Sequence, residues 1–472
     1  MKIYNTASRQ VEEFEPINDG RVKLYTCGPT VYDYAQIGNL RAFVFDDTLR
    51  RVLSASGYDV KHVMNITDVG HLVSDEDEGE DKLEKGAARE NKSVWQVAEF
   101  FIEAFLSDVK SLNILEPNGY DGPHGVYARA TDFIDQQIDL VKILVDKAFA
   151  YQTEQAIYFD VSKLSDYGKL TRQKLSDKEV AARADVITDA QKRHPQDFAV
   201  WFFSVGRFAN HSMRWPSPWG EGFPGWNLEC SAIIHATLGE PIDIHTGGVD
   251  HIGTHHTNEI AQTEAAYDIQ LSNYWMHNEH LLIDGRKMSK SMGNFIKLSD
   301  ITERGIDPLA LRLLFLQSHY RSQTNFTWQS LEAAQITLKN FYAWADLQFQ
   351  GFESNQLRED YGLSFAKILS SMQDDLASPE ALGWFNGMVN RTDSLGIDSL
   401  SIGDQAKKID ELFGLGLSTR KDVPDDIKSL IKDRDEAREA KDWKKADSIR
   451  DKLLEHKVEI NDSAAGSVWR RV

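Results

Sequence analysis

Two lysines three residues apart, Lys287 and Lys290, stand in a Lys-Met-Ser-Lys-Ser run between Gly285 and Gly293. A loop of this kind can close ammonium groups over a triphosphate and release it afterwards. Lysine- and serine-rich turns are also ordinary solvent-facing linkers, but a five-residue string is harder to meet by chance than a lone Gly-x-Gly. A second candidate is Cys27-Gly28-Pro29-Thr30 followed by Gln36-Ile37-Gly38-Asn39. There a strand hands over to a helix, and a nearby glycine lets phosphate oxygens approach the backbone N–H groups at the positive end of the helix dipole. A plain strand–turn–helix junction reads the same way. The third candidate is Cys230, His255, His256 and Glu259, with Cys27 far upstream. His255 and Glu259 are four apart and share a helix face, and zinc takes thiolate, imidazole and carboxylate together. The spacing is not that of a zinc finger. Two buried cysteines beside a surface His–Glu helix pair fit these residues as well as a zinc site does.

The elements that must carry these groups alternate between strand and helix. Val22–Cys27 reads as a strand closed by Gly28-Pro29, Asn39–Leu53 has helical apolar spacing, and Tyr58–Ile66 follows the Gly57 turn as the next strand. That is a βαβ unit and predicts a parallel sheet. Amphipathic helical patterns occupy residues 93–150, Ala156–Val161 returns to strand, and a Trp- and Pro-rich stretch, Met213–Gly220, precedes a second α/β block at 226–285. The central stretch reads as inserted between two halves of one sheet. From about residue 330 the spacing is helical, over Leu331–Leu347, Ser364–Leu376 and the charged Ser429–His456. The expected fold is therefore α/β, a Rossmann-type parallel sheet with a central insertion, followed by a C-terminal all-α helical region.

Composition bounds the class. The 472 residues are 41% hydrophobic and 27% charged, with 31 Gly and 12 Pro, which describes a globular chain of several domains and neither a disordered nor a fibrous one. Two cysteines and an N-terminus without a signal-peptide pattern point to a reducing cytoplasm. No apolar run approaches the roughly 18 residues needed to span a bilayer. The net charge of -20 does not exclude a nucleic-acid partner, because a polyanion feels the patch it touches. Residues 421–472 hold 13 Lys and Arg against 13 Asp and Glu, so the tail is neutral, whereas acidity gathers in runs such as Ser74–Asp81.

Taken together, these residues resemble the cysteinyl-tRNA synthetases, a family of class I aminoacyl-tRNA synthetases. The likeness runs through Cys27–Thr30, Pro224–Ala232, Asp243–Asp250 leading to His255–Glu259, Tyr274–His277, the lysine loop Lys287–Ser291, and Ala440–Trp443 to Val468–Arg470. It implies an enzyme that joins cysteine to ATP as cysteinyl-adenylate and passes the cysteinyl group to the 3′ end of tRNA(Cys). It also implies one zinc ion per chain on Cys27, Cys230, His255 and Glu259, with His256 a neighbour. Thr67 and Trp226 match positions of the amino-acid pocket, Thr30, Gly38, Gly248 and Asp250 match the nucleotide side, and Lys287 and Lys290 match the phosphate holders, with Mg²⁺ on the ATP. Gln36 and Asn39 fall at the ends of the family's HIGH signature, where Gln36 replaces a His; an amide can donate a hydrogen bond but cannot become cationic. The Asp68–His71 segment also departs from the commonest pattern. The implied division is 1–120 and 226–285 as the two catalytic halves, 121–225 as insertion, 286–330 as lysine-loop junction, 331–415 as helical bundle, and 416–472 as tRNA-binding region. The family implies a cytoplasmic monomer without membrane contact.

Packing separates cysteine from serine by only about a hundredfold, and a soft metal–sulfur preference would widen that margin. An editing domain is then unnecessary. The rival readings are a ligase that passes activated cysteine to a small amine, as in mycothiol synthesis, and an inactive zinc-binding paralogue that binds tRNA.

Overall fold

A computed structural model of the chain describes residues 1–70, 83–84, 92–172, 189–287, 294–350, 358–392, 399–463 and 466–472. The acidic run 74–81, His71 and residues 288–293, Lys290 among them, lie outside the described residues. The chain forms two compact units, residues 1–303 with 320–326 and residues 304–319 with 327–472.

The first unit is built on five parallel strands, β1 (Arg21–Thr26), β2 (Asp59–Ile66), β3 (Ala128–Arg129), β4 (Ile242–Gly248) and β5 (Ser272–Asn278), ordered β5-β4-β1-β2-β3. Val22, Leu24, Tyr25, Val63, Ile242 and Ile244 are buried, the near-continuous apolar reading of a sheet covered on both faces. From β1 the chain moves one way to β2 and β3, and β4 and β5 lie on the other side. The strand order thus reverses between β1 and β4, the place where an open α/β sheet leaves a crevice at its carboxyl edge.

Helix α1 (Ile37–Ala55) joins β1 to β2 and buries Ile37, Leu40, Phe43, Val44 and Leu49. Gln36 is its N-cap, and the Asn39 side chain accepts the Gln36 backbone N–H at 3.2 Å. Helix α2 (Val94–Ser111) starts at a capping box in which Ser93 and Gln96 exchange hydrogen bonds of 3.2 and 3.0 Å. Helices α3 (Trp226–Thr237) and α4 (His255–Tyr267) flank β4 in sequence. Between β3 and α3 the chain makes a helix, Ile134–Asp146, and a five-stranded antiparallel sheet of Ala150–Gln152, Ala156–Phe159, Phe198–Phe203, Trp215–Ser217 and Gly220–Pro224. Phe159, Val200, Trp201 and Leu228 share one apolar core beneath it.

The second unit is helical over Pro308–Leu316, Trp328–Asp346, Arg358–Met372, Ser378–Thr392, Ser399–Phe413, Asp425–Glu439 and Trp443–Glu455. It ends in an antiparallel hairpin, Val458–Ser463 with Gly466–Arg471, which the helical reading of the tail did not anticipate. Val458, Ile460 and Trp469 face inward and pack with Ile427, Ile449 and Leu453, so the alternation that defines the hairpin completes the core of the two preceding helices.

Candidate active site and metal centre

A cleft of about 750 Å³ opens at the carboxyl edge of the sheet where the strand order reverses. Its floor is set by close backbone approach. Gly28, just past β1, donates its N–H to Asn65 Oδ1 at 2.8 Å, and a Cβ there would lie 1.7 Å from the Asn65 carbonyl oxygen. Only glycine allows that approach. Thr30 and Thr67 then pair as a short parallel bridge, through Thr67 N–H to Pro29 O at 2.9 Å and Val31 N–H to Thr67 O at 3.2 Å. The Thr67 hydroxyl donates to Glu229 Oε2 at 2.7 Å, which ties β2 to α3 across the cleft floor.

Cys27 from the end of β1, Cys230 from the first turns of α3, and His255 and Glu259 from successive turns of α4 converge, with one ligand atom of each within 4.8 Å of all the others. His255 and Glu259 are 2% and 0% exposed, so the alternative of a surface His–Glu pair does not hold. Asn227 Oδ1 lies 3.1 Å from His255 Nδ1 and, being an acceptor, fixes the proton there. His255 Nε2 lies 2.8 Å from Glu259 Oε1 and 3.5 Å from Cys230 Sγ, and against its burial these two neighbours, Glu259 first, hold the imidazole's pKa up at about 10. Two sulfurs, an imidazole nitrogen and a carboxylate oxygen, all buried and close enough to share one point, are a donor set that fits a soft cation, which would take the place of the proton now shared by His255 and Glu259.

A second quartet, Cys27, His245, His256 and Glu259, overlaps the first, but its atoms already have partners. His245 Nε2 is 2.8 Å from Glu259 Oε2, and His256 bonds His277 at 2.8 Å and lies 3.3 Å from Cys27 Sγ. His277 in turn meets the Thr6 hydroxyl at 2.8 Å. Burial, with the neighbouring imidazoles, pushes the pKa values of His256 and His277 well below the ordinary value and keeps the rings neutral. Glu259 is also desolvated, yet His245 and His255 hold its carboxyl down at about 2. Burial holds the Cys27 thiol up, and it remains the more reluctant of the two sulfurs to ionise.

The rest of the lining faces this cluster. The Trp226 ring stacks on His255 with centroids 4.3 Å apart. Gln36, Gly38 and Asn39 bring the N-terminus of α1 into the lining of the same cleft, and Arg41 holds that end by donating to His280 O at 2.9 Å and Ser322 O at 2.7 Å. Gly248 and Asp250 follow β4. Lys287 comes from a hairpin, Leu281–Ile283 with Arg286–Lys287, whose turn residues Asp284 and Gly285 both have positive φ, as a two-residue Asp-Gly turn requires. Its exposed Nζ is 3.6 Å from Asp250 Oδ1.

Of the residues expected from sequence, Cys27, Thr30, Gln36, Gly38, Asn39, Thr67, Trp226, Cys230, Gly248, Asp250, His255 and Lys287 line this one cleft, and Glu259 lies buried beneath it. Lys290 lies outside the described residues. The sequence reading missed Asn65, Glu229, His245 and His277 as parts of the site. The available signal was a polar residue within an apolar run, as with Asn65 between Met64 and Ile66 on β2 and Glu229 between Leu228 and Cys230 on α3.

A doubly wound sheet with a cleft and a cluster of candidate metal ligands at its switch point matches what comparison with known proteins finds. The family model of the class I (C) tRNA synthetase catalytic domain matches residues 13–336, and the model of the cysteinyl-tRNA ligase anticodon-binding domain matches residues 420–470. The chain therefore belongs to the cysteinyl-tRNA synthetase family of class I aminoacyl-tRNA synthetases. It is 43% identical to cysteine–tRNA ligase 1 of Burkholderia lata, over 99% of this chain and 96% of that protein. It is 40% identical to cysteine–tRNA ligase of Treponema denticola over the whole of both chains. Among solved structures it shares the fold of a Mycobacterium tuberculosis methionyl-tRNA synthetase bound to methionyl-adenylate, with a TM-score of 0.61 at 13% identity, covering 84% of this chain and 92% of that one. An Agrobacterium radiobacter leucyl-tRNA synthetase gives 0.60 at 12%, covering 86% and 85%. Among the described residues no helix is long and apolar enough to cross a membrane.

Proposed function

We propose that the cleft carries out the family's reaction, ligation of cysteine to tRNA(Cys) in the cytoplasm by way of cysteinyl-adenylate, with the residues around it dividing the work. The observation that carries this reading is the convergence of Cys27, Cys230, His255 and Glu259 at the sheet's switch point, in the cleft that the N-terminus of α1 also lines. The quartet would hold one zinc ion, which when bound supplies a soft Lewis-acid centre that prefers a thiolate to a hydroxyl.

This chain's residues supply position. Trp226 walls the amino-acid side against His255. Thr67, its hydroxyl spent on Glu229, holds its backbone beside Thr30 and so fixes the near edge of the pocket. Gly38 lets ATP phosphates approach the positive end of α1, with Gln36 and Asn39 on either side. Gly248 and Asp250 take the nucleotide side, Lys287 and Lys290 would hold the phosphates, and Mg²⁺ carried by ATP would offset the phosphate charge that the lysines leave. The amino-acid carboxylate attacks the α-phosphorus and pyrophosphate leaves. No protein nucleophile or base is required, so rate enhancement comes from alignment and charge stabilisation. In this reading the chain is divided at residues 120, 225, 285, 330 and 415, with 416–472 as the tRNA-binding region and the monomer as functional unit.

Cysteine-dependent ATP–pyrophosphate exchange followed by charging of tRNA(Cys) tests this reading. Exchange with charging is expected. Exchange without charging would favour transfer to a small amine, and no exchange would leave a binding module.

A further inference from the structure

Outside the amino-acid and nucleotide positions, one rim of the cleft carries aromatic rings exposed to solvent. Tyr34, between the Cys27–Thr30 turn and α1, is 37% exposed, and Phe100 on α2 is 42% exposed. Their rings meet edge to face at 5.9 Å, and both pack on the buried Phe101, at 5.2 and 5.1 Å. Tyr34 and Phe101 also line the cleft, so the patch is continuous with it. Each exposed ring carries an ammonium group: Lys92 Nζ lies 4.7 Å from the Phe100 centroid and Lys297 Nζ lies 4.8 Å from that of Tyr34. Glu99, next to Phe100 in sequence, is taken up by Arg129 at 2.6 Å. The two lysines stand among carboxylates, Asp33 beside Tyr34, Glu103 one turn on from Phe100 and Asp108 acting on Lys297, so it is the exposed rings and not a net positive charge that set this rim apart.

We infer that this rim is the stacking platform for the unpaired 3′-terminal nucleotides of the tRNA, holding them at the cleft mouth before the end enters. The inference rests on the proposed function. Exposed rings flanked by cations bind single-stranded nucleic acid because each base offers a flat face and each phosphate a charge. A protein partner fits less well, since the cores of protein interfaces are depleted in lysine. The occupant must also be able to continue from the patch into the cleft, which an unpaired nucleotide end does.

The test uses the full-length protein, Phe100→Ala and Phe100→Tyr. Phe100 is on the outer side of the patch, so cysteine-dependent ATP–pyrophosphate exchange is expected to stay within about twofold of the unaltered chain. The KM for tRNA(Cys) in charging is expected to rise about tenfold in Phe100→Ala, the loss of roughly one stacked base, and to return in Phe100→Tyr. In direct binding, the unaltered chain should prefer intact tRNA(Cys) over tRNA(Cys) lacking its three 3′-terminal nucleotides, and Phe100→Ala should lose that preference. A Phe100→Ala variant that still prefers the intact tRNA, or a loss that Phe100→Tyr does not restore, overturns the platform. Absence of exchange in the unaltered chain would instead overturn the functional reading beneath it.

Discussion

Gly28→Ala places a methyl group against backbone that cannot yield, and its cost follows from the geometry. The new Cβ would lie 1.7 Å from the carbonyl oxygen and 2.8 Å from the carbonyl carbon of Asn65 on β2. Carbon–oxygen contact requires about 3.3 Å, so the two segments must part by roughly 1.5 Å. Three hydrogen bonds span that gap: Gly28 N–H to Asn65 Oδ1, Thr67 N–H to Pro29 O and Val31 N–H to Thr67 O. Their loss, at about 1 kcal/mol each, and a similar strain term give about 4 kcal/mol. For a unit of about 300 residues unfolding entropy is about 0.6 kcal/mol per degree, so the melting midpoint should fall by about 6 °C. Cys27 is the adjacent residue, and a displacement of about 1 Å should lower cysteine-dependent exchange at least about a hundredfold. Gly248→Ala is the control for folding, because a Cβ there meets nothing within 4 Å; its midpoint should stay within about 2 °C. Differential scanning fluorimetry and exchange on both variants decide the matter. Gly28→Ala with an unchanged midpoint and unchanged exchange would refute the close-packed floor.

Three further outcomes follow. His62 is buried on β2, and burial, assisted by the Arg50 charge, lowers its pKa to about 3, against about 6.5 unfolded. The unfolded chain then binds the extra proton, so this contribution to stability is complete above pH 6.5 and is lost as pH falls toward 3, by at most about 1.4 kcal/mol per unit. Urea unfolding should show the unaltered chain losing about 2 kcal/mol more than His62→Gln between pH 7 and pH 5, and equal losses would contradict a neutral buried ring. In the second unit Asp346 is fully buried between Arg420 and Arg471, the latter at 2.8 Å. Asp346→Asn should destabilise that unit by about 3–5 kcal/mol and impair tRNA charging more than exchange; equal loss of both activities would count against separate roles. Gln36→His should retain exchange and gain rate below about pH 6.5, where an imidazole becomes cationic; a rate unchanged across pH would show that this position does not reach the phosphates.

Much of the catalytic unit was legible because its signals are local. The apolar run at β1, the Gly57 turn and the period of α1 each sit within a few residues, and the chemistry-bearing motifs lie at the ends of those elements. The choice between a zinc site and two unrelated cysteines was not legible. It depends on Cys27, Cys230 and α4 meeting across more than two hundred residues of chain, which no local pattern encodes. His256 was singled out as a neighbour of the ligands, but the rest of the imidazole array behind the cluster was missed for the same reason: His245 and His277 come from β4 and β5 and meet His256 of α4 only through sheet order. The C-terminal hairpin was read through because its alternation is short, and its inward residues show their purpose only against Ile427 and Leu453.

If Cys27, Cys230, His255 and Glu259 form one metal centre that selects the substrate thiol, metal content and thiol selection must be lost together. The direct measurement is zinc content together with the ratio of cysteine- to serine-dependent ATP–pyrophosphate exchange, for the unaltered chain and for Cys230→Ser. One zinc per chain and a large ratio are expected, and in Cys230→Ser a fall of zinc content and cysteine activation together. Full zinc content with unchanged cysteine preference in Cys230→Ser would contradict that centre.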